Sequence, residues 1–143
     1  YNSKASKIKG MMDCYKDMDL IIIHRRDDPG KNGIDSGKMP PPKSFTYFGK
    51  KFILDSTVLR DISRKHFTSY VTIAGKEYAF EGGANRRLRE FKWKEKLCSG
   101  TNEKFEFGSP FDPNDIRKVH KGWKLNEKFN FNEGYQLNFY YKQ

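Results

Sequence analysis

Over residues 51–80 the sequence alternates apolar and polar positions with a period of two, interrupted once by a polar run and once by a glycine turn. That rhythm constrains the chain to a β-sheet. Phe52, Leu54, Ser56 and Val58 alternate with Ile53, Asp55, Thr57 and Leu59, and after the polar break at 61–65 the pattern resumes with Phe67, Ser69, Val71 and Ile73. Ala74-Gly75-Lys76 reads as a short turn, and 77–80 begins a third strand paired back on the second. Consecutive segments joined by short turns predict neighbouring antiparallel strands over 51–60, 66–73 and 76–80, with His66 at the entrance of the second.

The rest of the chain is less regular. Residues 1–18 are charged and carry no sustained period, so they read as an extended or partner-ordered arm. Residues 19–143 read as one β-rich domain. Within it 19–25 is an apolar strand, expected to be buried on both faces because of its Ile21-Ile22-Ile23 run. Asp27-Asp28-Pro29-Gly30, Asn32-Gly33 and Pro40-Pro41-Pro42 mark a long loop over 26–44, whose prolines favour an extended left-handed helix, a form that aromatic grooves bind. Gly82-Gly83 breaks the sheet, and 86–97 reads as a short helix or an extended basic edge. Residues 98–113 read as loop with a short strand at 105–107, and Asp112-Pro113 as the cap and first position of a brief helix ended by Gly122. In the closing strand, 135–141, Tyr135, Leu137, Phe139 and Tyr141 lie on one face and Gln136, Asn138 and Tyr140 on the other, which suits a sheet packed on one side.

The 143 residues suffice for one ordinary domain. Only 36% are apolar, but 15% are aromatic, so the core is expected to rest on aromatic rings. No apolar run approaches the roughly 18 residues of a spanning helix, no secretory leader pattern opens the sequence, and two distant cysteines form no disulfide framework, so an intracellular compartment is expected.

Several segments together resemble the ubiquitin-specific proteases, a papain-like family. Phe52-Ile53-Leu54 leading to Lys65-His66-Phe67-Thr68-Ser69-Tyr70-Val71 and then to Glu77-Tyr78-Ala79-Phe80-Glu81-Gly82 resembles that family's histidine box, "G-H-Y-x-x-Y-V" followed by "W-Y-x-F-D-D". Asp19-Leu20-Ile21-Ile22-Ile23-His24-Arg25 is similar to its upstream "L-I-I-H-L-K-R" strand, and Gly134-Tyr135-Gln136-Leu137-Asn138-Phe139-Tyr140-Tyr141 to its closing "A-Y-x-L-x-Y" strand. The spelling looks most like divergent members encoded by large DNA viruses. The resemblance covers roughly half of the chain in the family's order. It implies an α+β fold built on the antiparallel palm of a papain-like ubiquitin hydrolase, His66 as the base, and ubiquitin or a ubiquitin-like protein as partner, in the cytoplasm or a virion.

The chain departs from that pattern at decisive positions. Neither Cys14 nor Cys98 stands in the family's "G-x-x-N-x-x-x-x-C" context, and the residue that orients the histidine maps to Gly82, which has no side chain. Glu81, adjacent, is the candidate left for that orienting role, although a one-residue shift along a strand points a side chain to the opposite face. A thiol protease needs its thiolate, base and orienting group together. A catalytically incomplete module that binds proteins within a larger assembly is therefore expected, with a deubiquitinating thiol protease whose cysteine comes from another segment or chain as the alternative.

The net charge of +10 suits a partner with an acidic surface. Arg86, Arg87, Arg89, Lys92, Lys94 and Lys96 form its densest stretch, interleaved with Phe91 and Trp93, which also allows a nucleic-acid-binding module. The histidines and cysteines lack paired ligand spacing and no phosphate-cradling glycine motif occurs, so neither metal nor cofactor is expected.

Overall fold

A computed structural model of the protein describes residues 17–25, 39–60, 66–81, 88–107, 116–118, 129–132 and 135–143. They form a sheet-dominated α+β structure. The strands are β1 (Leu20–Arg25), β2 (Ser44–Tyr47), β3 (Lys50–Arg60), β4 (Phe67–Ile73), β5 (Lys76–Glu81) and β6 (Leu88–Glu90), then the single described helix α1 (Trp93–Ser99), followed by β7 (Phe105–Phe107), β8 (Ile116–Lys118) and β9 (Gln136–Lys142). Six strands lie in the order β1-β9-β3-β4-β5-β6, with β2 added beside β3, and β7 and β8 make a separate pair. All pairings are antiparallel. The strands expected at 51–60, 66–73, 76–80 and 135–141 are thus present in one sheet, and β7 falls at the expected 105–107.

Tight turns set the register. Phe48-Gly49 joins β2 to β3 and Ala74-Gly75 joins β4 to β5, each with two consecutive positive φ angles (48° and 72°; 50° and 79°). That left-handed pair matches the twist of the strands it connects.

Among the described residues only one face of the sheet is covered. Phe52, Leu54, Leu59, Tyr70, Ala79 and Tyr140 point to it and are buried beneath α1 and the 101–107 and 129–132 segments, which add Trp93, Leu97, Phe105, Phe129 and Phe131. Tyr70 sits among Trp93, Phe105 and Phe131, the nearest ring centroid being that of Phe131 at 5.0 Å. The expected aromatic core is present on this side.

β3 departs from simple alternation. Its register against β9 shifts between Leu54 and Ser56, leaving Asp55 as an extra residue. Phe52 and Leu54 face inward before this bulge, and Thr57 and Leu59 after it, so the single phase expected over 52–58 is broken in the middle. Thr72 donates its hydroxyl to the Asp55 carbonyl at 2.8 Å, which satisfies an acceptor at the point where the β3–β9 register slips.

Three further expectations are corrected. β1 is not buried on both faces: it pairs only with β9 among the described residues, and Ile22 and Ile23 are exposed. Residues 116–118 of the expected helix after Asp112 are strand β8, paired to β7, while 112–115 lie outside the described residues. The loop over 26–44 gives way to β2 at Ser44, and its described end is docked rather than available: Pro41 is buried, the Pro42 carbonyl accepts the Tyr140 hydroxyl at 2.8 Å, and Pro40 packs against Gly100. Gly100 caps α1 at φ 71°, where a Cβ would stand 3.4 Å from the Pro40 ring.

Candidate functional site

His66 immediately precedes β4, and Glu81 ends β5. The register pairs Glu81 with Thr68, a buried inward-facing residue, so Glu81 points to the covered side, as His66 does two residues before Thr68. The Nε2 of His66 lies 2.6 Å from Oε1 of Glu81, with both side chains largely buried. The imidazole stands edge-on to Phe129 at 6.4 Å between centroids. This overturns the expectation that Glu81 points to the opposite face: counted from Thr68, Glu81 shares the face of the histidine, and its longer side chain closes the distance. A carboxylate on one ring nitrogen is the kind of contact that orients a histidine base in triad chemistry.

The thiol does not complete it. Cys98 lies in α1, the only cysteine among the described residues; Cys14 falls outside them. Burial pushes the Cys98 thiol up to about 11, with Lys43 and Lys94 pulling weakly the other way and Glu95 and Glu77 reinforcing the rise; His66 is not among the groups that act on it. A thiol so held is almost wholly protonated near neutral pH and is a poor nucleophile.

The basic segment is divided by the fold. Arg86 and Arg87 lie outside the described residues. Arg89 is fully buried with its guanidinium 5.2 Å from the Phe107 ring centre, so it leaves the set of surface cations. Lys96 reaches Glu103 at 3.2 Å and lies over Phe91; Lys94 lies over Trp93; Lys92 is exposed. Trp93 is buried and donates its indole N–H to the Val71 carbonyl at 3.2 Å, which removes its ring as a stacking platform for bases. The helix is anchored at its start by Glu77, whose carboxylate accepts the Lys94 backbone N–H at 2.8 Å.

The other face of the sheet carries a feature that no single motif announces. β9 turns Gln136, Asn138 and Tyr140 inward and Leu137, Phe139 and Tyr141 outward, so polar amides are buried while apolar side chains meet solvent. The amides are satisfied in a chain: Thr57 donates to Asn138 Oδ1 at 2.6 Å, Asn138 to Gln136 at 3.1 Å, and Gln136 to the Phe131 carbonyl at 2.6 Å, which Arg25 also reaches at 3.2 Å. Buried amides so paired are tolerable. Outward, the row His24, Leu137, Val58, Ser69, Phe80, Leu88 crosses all six strands, and none of its members is buried. Ile22, Phe67, Ile73 and Tyr141 on the same face are about half exposed. The signal was available as parity: the outward positions of β4, β5 and β9 are as apolar as the inward ones.

Among the described residues no cluster of His, Cys, Asp and Glu gathers as a metal site, and no helix is long and apolar enough to cross a membrane. Comparison of the chain with protein-family models, with curated proteins and with solved structures finds no match.

Proposed function

We propose that this chain is a catalytically incomplete module of the papain-like ubiquitin-hydrolase type that acts as a protein-binding or structural component of a larger assembly, a viral particle being one setting the resemblance suggests. The observation that carries this reading is the pairing of an oriented histidine with a thiol unsuited to serve it: His66 is held by Glu81 at 2.6 Å, whereas Cys98 is pushed up to about 11 by burial. Support for binding comes from the outer face of the sheet, where Ile22, Phe67, Ile73 and Tyr141 are about half exposed, since exposed apolar surface of this kind is characteristic of interaction sites. The net charge of +10 favours an acidic partner, for which ubiquitin or a ubiquitin-like protein remains a candidate by resemblance.

The His66–Glu81 contact also favours a second reading, a deubiquitinating thiol protease completed by a cysteine from another segment or chain. One experiment tests whether this chain supplies that cysteine itself. Incubated with a fluorogenic ubiquitin conjugate and with a ubiquitin-based thiol-reactive probe, the chain is expected to give neither turnover nor adduct. An adduct on Cys14 or Cys98 that vanishes in His66→Ala would establish the protease instead. Against the nucleic-acid reading, Trp93 is buried and cannot stack on a base, while Phe91, the other ring among these cations, is partly buried.

A further inference from the structure

We draw no further inference here: the strongest candidate, the outer face of the sheet with Ile22, Phe67, Ile73 and Tyr141 about half exposed, carries nothing, because it is bare only among the described residues and nothing in the structure shows what covers it.

Discussion

At the scale of single residues, the two groups most relevant to chemistry are held in opposite ways. His66 is oriented by a carboxylate; Cys98 is withdrawn into the seam between α1 and the sheet. For Cys98 the consequence is a pH profile. The folded chain binds the thiol proton more tightly than the unfolded chain, whose thiol titrates near about 8.5. The stability this contributes is complete below that unfolded value and is lost as pH rises toward about 11. Alkylation of Cys98 by iodoacetamide, followed by mass spectrometry, is expected to show a rate midpoint near 11 in the folded protein. A midpoint at or below that of free cysteine would mean the thiol is activated, and the incomplete-module reading would lose its main support.

At the scale of elements, the β4–β5 turn holds an avoidable cost. Ala74 adopts φ 50°, a region where a Cβ is unfavourable and where Asn is better tolerated. Ala74→Asn is expected to raise stability by roughly 0.5–1 kcal/mol, read as a shift in the urea midpoint with an unchanged slope; a loss of stability would show that the turn geometry is not the one described. The strands around this turn were legible because two runs rich in β-branched and aromatic residues, Phe67 to Ile73 and Glu77 to Phe80, flank a glycine turn. The break in β3 was not, since Asp55 and Ser56 suit either face and only the β9 register reveals the extra residue. Glu81 was misjudged for a related reason: its facing depends on pairing with Thr68, a relation between strands that counting along one strand cannot supply. Asp112-Pro113 carries genuine helix-start chemistry, yet Ile116–Lys118 pairs with β7, where Phe105 and Phe107 offer an aromatic surface that local preference does not register.

At the scale of the whole molecule, the two faces of the sheet are expected to respond differently to the same kind of substitution. Trp93 joins α1 to β4 and to the ring cluster around Tyr70, and it is fully buried. Trp93→Ala is expected to cost about 3–5 kcal/mol. On the outer face Phe67 is 51% exposed, and Phe67→Ala is expected to stay within about 1 kcal/mol. Urea unfolding of both variants checks the contrast; comparable losses would mean that the outer face is covered in the folded protein.

The bulge at Asp55 has a consequence for strand slippage. A strand of uniform alternation can slide by two residues and present the same pattern to its neighbours, which is one route to misregistered hairpins and exchanged strands between molecules. β3 cannot do so cheaply. Its inward positions are even-numbered before the bulge and odd-numbered after it, so a slide of two would carry Leu54 or Thr57 across the step and onto the wrong side. The extra residue works as a notch that lets the longest described strand seat against β9 in one position only.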